Sequence, residues 1–324
     1  MGKIIIRKQV FAVKAEASQY TYNWSASAPA GADLIPCMGT VTYNPTDEPI
    51  KNETLLTHFG KLDDVPTFAK VEFKGRCYLN PSGTAGTAPL LGTLLKAAGF
   101  SETVVAVTSV TYKPVAASAT LNTTFSAMLI EDGYGMGASG CQVTDLAFIL
   151  EAGKPCIMEF TIRGAYQAVV AKTAPSLPST LPVAPVFSGA SVNGLPSWTT
   201  PEFRNWKLNV KNVVGDVIDA NSSTNYGFKG VQITDRSIDG SIDPTWDPAT
   251  ADPFSAWRAG TTGAIGTGVI GSGSGNRLQF TVPRAQYNGP SMEDRNGYRA
   301  HTWPFDVKVP ANSADGDDFS LAFT

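Results

Sequence analysis

The chain has 324 residues, with 25 Lys and Arg against 28 Asp and Glu, a formal net charge of −3, and only 16% charged residues. That length accommodates two domains of ordinary size, each with its own core. With no basic run longer than Arg7-Lys8, the slightly acidic balance excludes a protein that grips nucleic acid by charge.

Low charge with 31 Gly and 22 Pro points to a mainly β chain of strands and turns. An N-terminal strand opens the chain. The segment 46–64 mixes acids with lysines: Asp47, Glu48, Lys51, Glu53, Lys61, Asp63 and Asp64. Residues 71–75 alternate as a strand, and a small-residue loop follows. Residues 88–99 then read as a short helix. Pro89 suits its first turn, where a missing N–H costs nothing; Leu90, Leu91, Leu94 and Leu95 form one apolar face; Gly99 suits the C′ position. A turn at Glu131-Asp132-Gly133-Tyr134 precedes a pair of strands at 143–150 and 156–162. Residues 173–186 carry prolines that remove ladder donors and favour extended backbone, which predicts a semi-rigid linker.

Beyond it the same grammar recurs. Residues 231–240 alternate, a loop with Pro244, Asp247 and Pro248 follows, and residues 251–260 form a helix started at Pro253 and stopped at Gly260, with Phe254 and Trp257 facing the core. A Gly-rich stretch, 260–275, could be a hairpin arm. A turn at 293–298 and strands at 303–309 and 319–323 close the chain. The shared order predicts a diverged tandem repeat: a first domain over 1–172, a Pro-rich linker over 173–200 and a second domain over 201–324, each a β-sandwich or barrel flanked by a short α-helix. The alternative is one large β domain.

Chemistry is sparsely signalled. The four cysteines have no CxxC spacing, and with only two histidines a zinc site lacks ligands, so free, partly buried thiols are expected and no cofactor or metal is assigned. Gly83 to Gly86 precedes a helix but lacks the Gly-Lys-Ser/Thr of a phosphate-binding loop. His58 and His301 sit in no hydrolase motif, and His301 reads as a packed or surface residue. No catalytic residue is assigned. No apolar run approaches the ~20 residues of a membrane span, and the N-terminus lacks a signal-peptide pattern. Asp235, Asp239 and Asp243 recur every fourth residue and so share a strand face. Exposed aromatics such as Trp24, Trp198, Trp246 or Trp303 would suit a second reading, a carbohydrate-binding or adhesion module with stacking platforms.

The opening 5–16, the stretch 83–103, Ser109 to Val115, Phe280 to Tyr287 and the final residues from Phe305 resemble the tail tube proteins of long-tailed, non-contractile bacteriophages. The resemblance implies a structural virion protein, not an enzyme, made in the host cytoplasm. It implies rings stacked into a DNA conduit, with a tape-measure protein in the lumen, tail terminator and distal tail proteins at the ends, transient passage of double-stranded DNA, and no membrane binding. Two tube domains per chain would make the ring a trimer with pseudo-sixfold symmetry; a single domain would make it a hexamer. Asp235, Asp239 and Asp243 are then candidate lumen residues, although a solvated outer face suits them as well. The charged residues of 46–64, the N-terminal strand and 260–275 are candidates for ring stacking.

Overall fold

A computed structural model describes residues 8–115, 121–178, 181–190, 192–193, 202–246, 252–310, 313–314 and 316–324. The first part of the chain supplies β1 (Gln9–Ala15), β2 (Leu34–Ile35), β3 (Thr42–Asp47), β4 (Ala69–Tyr78), β5 (Phe100–Val105), β6 (Ser109–Pro114), β7 (Phe125–Glu131), β8 (Tyr134–Glu151) and β9 (Ile157–Ala171). The remainder supplies β10 (Val192–Asn193), β11 (Phe203–Ile218), β12 (Phe228–Pro244), β13 (Thr262–Thr267), β14 (Leu278–Tyr287), β15 (Ser291–Arg295), β16 (Tyr298–Val307) and β17 (Ser320–Phe323). The fold is mainly β, and these strands join in one antiparallel network.

The principal layer runs β3-β4-β9-β8-β11-β12-β16. Its middle strands are long: β8 has 18 residues and β12 has 17, against about six for a common strand. The N-terminal half of β8 pairs with β7, which carries β1 on its other side. At the far end β16 passes to β14, and β14 leads on to β17, β6 and β5. The network therefore curls over itself and encloses apolar side chains between its layers. Phe148 of β8 and Trp206 of β11 meet Phe280 of β14 with ring centroids 5.2 and 5.0 Å apart, and Phe11 of β1 stacks on Phe160 of β9 at 5.5 Å.

Two joints tie the early part of the chain to the late part. β8 and β11 pair from Asn205↔Glu151 to Lys211↔Asp145, and the C-terminal β17 adds to β6 with Leu321 opposite Tyr112. Residues 181–190, expected within a spacer, dock instead. Phe187 is buried beside Phe203 at 5.7 Å, its N–H donates to the Lys154 carbonyl, and the Cys156 N–H donates to the Pro185 carbonyl. A large aromatic in a Pro-rich run gains more by burial than by remaining in an extended spacer.

Both expected helices form, shorter than their sequence patterns. α1 spans Gly92–Ala97, because residues 89–91 are spent in a turn closed from the Gly92 N–H to the Pro89 carbonyl. Gly99 follows at φ +79°, the left-handed stop expected of it. Leu91, Leu94 and Leu95 are buried and Leu90 only partly so. Leu94→Asp is expected to destabilise the protein by about 4 kcal/mol or more, because it buries an unpaired charge; urea unfolding checks this, and wild-type stability would displace α1 from the core. α2 spans Pro253–Arg258 and is capped by Asp252, whose carboxylate accepts the Phe254 N–H at 3.0 Å. Here one expectation fails. Trp257 is 46% exposed, and Pro253 and Phe254 make the inward contact. With one and a half turns the helix presents Pro253, Phe254 and Ala256 inward and leaves Trp257 on its outer side.

The two predicted turns are alike in backbone. Asp132 and Gly133 (φ +44° and +93°) join β7 to β8, and Asn296 and Gly297 (φ +52° and +87°) join β15 to β16. Two successive left-handed residues match the twist of the flanking strands, which is why Asp-Gly and Asn-Gly occupy them. The Gly-rich stretch is no free arm. It forms β13 and then a packed loop in which Ile270 is buried opposite Leu278 and the Gly275 N–H donates to the Thr324 carbonyl.

Candidate functional site

Period-two alternation sends every second residue of the principal layer away from the core. On β8, Leu146, Phe148 and Leu150 point inward while Asp145, Ala147, Ile149 and Glu151 point outward. On β11 the outward set is Lys207, Asn209 and Lys211, on β9 Glu159, Thr161 and Arg163, and on β4 Glu72, Lys74 and Arg76. The result is a broad polar face whose charges compensate one another locally. Lys211 contacts Asp239 at 2.7 Å, Lys74 contacts Glu72 at 2.8 Å, and Arg76 contacts Glu159 at 3.2 Å. Lys74 and Lys211 hold their protons above the ordinary lysine range because of the hydrogen bonds to Glu72 and Asp239. Such a face offers no continuous cationic track.

The three aspartates of β12 fall on this side of the sheet but differ in state. Asp235 is exposed. Asp239 is tied to Lys211 and accepts from the Asn209 amide at 2.8 Å. Asp243 is buried. It accepts the N–H groups of Arg204 and Asn205 and the Asn205 amide, and it pairs with Arg295 at 2.8 Å. Shared strand parity put them on one side, as their spacing required; partners brought in by β11 and β15 separate their environments.

A second surface lies at the β3–β4 connection. Residues 48–66 leave the sheet as an arm, closed near its root by the Ile50–Val65 bridge. Lys70 fixes its root, reaching Glu48 and Asp216 at 2.7 Å each, and Asn225 from the β11–β12 turn accepts the Ala69 N–H at 2.9 Å. Asp47, Glu48, Lys51, Glu53, Lys61, Asp63 and Asp64 are all exposed. Sequence reading picked these charges and missed the apolar groups among them: Ile50, Leu55, Phe59 and Val65 are exposed as well. With Leu62, also exposed, five large apolar side chains in an arm with almost no core contact are the more informative signal.

The aromatic-platform reading loses two of its four tryptophans to the core, and a third is partly buried. Trp24 and Trp303 are buried, the latter against Tyr287 at 4.7 Å, and Trp246 packs on His301 at 5.2 Å; Trp198 lies outside the described residues. His58 is exposed, with its Nδ1 accepting the Gly60 N–H. His301 is wholly buried between Trp246 and Phe254, and burial lowers its pKa below the ordinary 6.5. The unfolded chain thus takes up this proton at higher pH than the folded one, so stability is steady above about pH 6.5 and falls as pH drops through it. His301→Phe is expected to remove part of that decline, as read by urea unfolding from about pH 7 down to about pH 5; an unchanged profile would show that other groups cause it.

Comparison with curated proteins gives no match. The sequence model of a family described as phage tail tube protein matches residues 7–314, nearly the whole chain, and with a mainly β fold in agreement this protein belongs to that family and is a structural component of the virion tail.

Proposed function

We propose that the protein forms trimeric rings of pseudo-sixfold symmetry, each chain contributing two tube units from residues 1–172 and 201–324. The rings stack into the hollow shaft of a long, non-contractile tail that conducts double-stranded DNA from capsid to host cell. Tape-measure protein fills the lumen during assembly, and terminator and distal tail proteins close the ends.

The observation that carries this reading is the outward face of β4, β9, β8, β11 and β12. It is polar, built on unusually long strands, and compensated by its own ion pairs. A strongly basic wall would bind DNA at many phosphates and arrest it, whereas a compensated or acidic one lets it slide. Ring closure also disposes of open sheet edges such as β3, which among the described residues pairs with β4 alone.

Stacking falls to the 48–66 arm, with its charged residues setting register around the apolar ones. Leu55→Asp with Phe59→Asp is expected to abolish tube formation and leave the soluble fold unchanged, since neither side chain touches the core. Electron microscopy beside thermal unfolding checks both halves of that statement. The wild-type protein should give hollow tubes with threefold rings of six similar units. Sixfold rings of single chains would discard the duplication, and discrete particles without a channel would overturn the conduit.

A further inference from the structure

We propose that Cys37 and Cys77 form a modification site: a dithiol that closes into a cross-strand disulfide on exposure to a low-molecular-weight disulfide. The inference does not rest on the conduit reading. The two residues face each other in an antiparallel bridge just beyond β2 and within β4, and the Met38 N–H donates to the Arg76 carbonyl at 2.7 Å. A bond from residue i+1 to residue j−1 marks Cys37 and Cys77 as a non-hydrogen-bonded pair. In that arrangement the Cα atoms lie about 4.5 Å apart with side chains on the same side, inside the ~4.4–6.8 Å window for a disulfide. Both side chains enter one packing environment: Cys77 is a buried core residue, and the partly exposed Cys37 packs against that core.

The other cysteines are poorly placed to compete. Cys156 follows the β4–β9 register two positions from the residue opposite Cys77, a diagonal separation of about 7–8 Å that exceeds the window. Cys141 lies against Gly164, eight positions along β9 from Cys156, or about 26 Å at ~3.3 Å per residue.

The reaction is two thiol–disulfide exchanges. The Cys37 thiolate attacks one sulfur of the small disulfide and releases one thiolate. The Cys77 thiolate then attacks Sγ of Cys37, forms the protein disulfide and displaces the second small thiolate. The two protons from the protein end on two small thiols, so the small disulfide is reduced as the dithiol is oxidised. Burial pushes Cys77 up to about 12 and raises Cys37 also, with further repulsion from Cys77, so closure is slow near neutrality and faster in mild alkali. The closed loop contains residues 38–76, and with them the whole arm. Oxidation would tie both roots of the arm together.

The test treats the native full-length protein with oxidised glutathione at mildly alkaline pH, counts thiols after denaturation, and maps linked peptides. Two of the four thiols should disappear into a 37–77 link, and Cys37→Ser should abolish the link while Cys141→Ser leaves it intact. Retention of all four thiols at long times, a link through Cys156, or arrest at a glutathione adduct on Cys37 would each overturn the proposal.

Discussion

Gly140→Val is expected to be among the most damaging single substitutions in this protein. Gly140 sits at the irregularity where β8 turns from its β7 partner toward its β11 partner, and its φ of +57° is costly for a side-chain-bearing residue. A Cβ there would stand 2.4 Å from the Lys229 carbonyl oxygen and 2.8 Å from Gly230 Cα; reciprocally, a Cβ on Gly230 would stand 2.4 Å from the Gly140 carbonyl oxygen. Both obstacles are backbone, so neither can swing aside. Separating β8 from β12 would also break the Gly140 N–H bond to Glu16, a buried carboxylate that accepts from Ser126 and Thr124 as well. Left-handed strain and overpacking together place the loss at about 3–5 kcal/mol, read as a lowered urea midpoint or as insoluble protein. Gly153→Ala is the control. Gly153 has φ +77° but nothing within 4 Å of its would-be Cβ, so only conformational strain of about 1–2 kcal/mol applies. Equal losses for the two would mean that the close approach of β8 to β12 is unimportant.

That approach also marks where sequence reading stops. Local grammar was legible: the alternation of 71–75 and 231–240, the Asp-Gly and Asn-Gly turns, the proline start of α2 and the glycine stops of both helices each follow from the conformational preferences of a few adjacent residues, although Pro89 falls in a turn ahead of α1. Pairing across the chain was not. Nothing in residues 143–150 says that they lie beside 205–211, or that the last strand adds to β6, because a strand's outward and inward sets are the same whichever neighbour it takes. The site divides in the same manner. Spacing put Asp235, Asp239 and Asp243 on one side of one strand, but their partners, Lys211 and Arg295, come from other strands and turn one shared pattern into three environments. The arm was legible as a charged segment, 46–64. Its charges were legible and its apolar groups were not, because the exposure of Leu55 and Phe59 becomes informative only once the core is known to be closed without them.

Asp243 supports the second large expectation. Its carboxylate joins three strands: it accepts both N–H groups and the side-chain amide at the start of β11, it stands near the end of β12, and it pairs with Arg295 at the end of β15. Arg295 in turn donates to the Asp243 carbonyl at 2.6 Å and to Thr245 Oγ1 at 3.3 Å. Removing the acid strands a half-buried guanidinium and two backbone donors in a place water reaches poorly. Asp243→Ala is therefore expected to cost about 3–5 kcal/mol, the range for breaking one side of a buried pair. Asp243→Asn retains one acceptor oxygen and should lose less. Asp239→Ala removes a solvent-exposed contact with Lys211 and should cost no more than about 1 kcal/mol. If the two alanine variants unfold at the same urea concentration, Asp243 is a surface charge like its neighbour. If they separate as expected, Asp235 and Asp239 are the β12 aspartates that can be changed cheaply, and Asp235→Lys with Asp239→Lys becomes the variant with which to shift the charge of the outward face without loosening the fold.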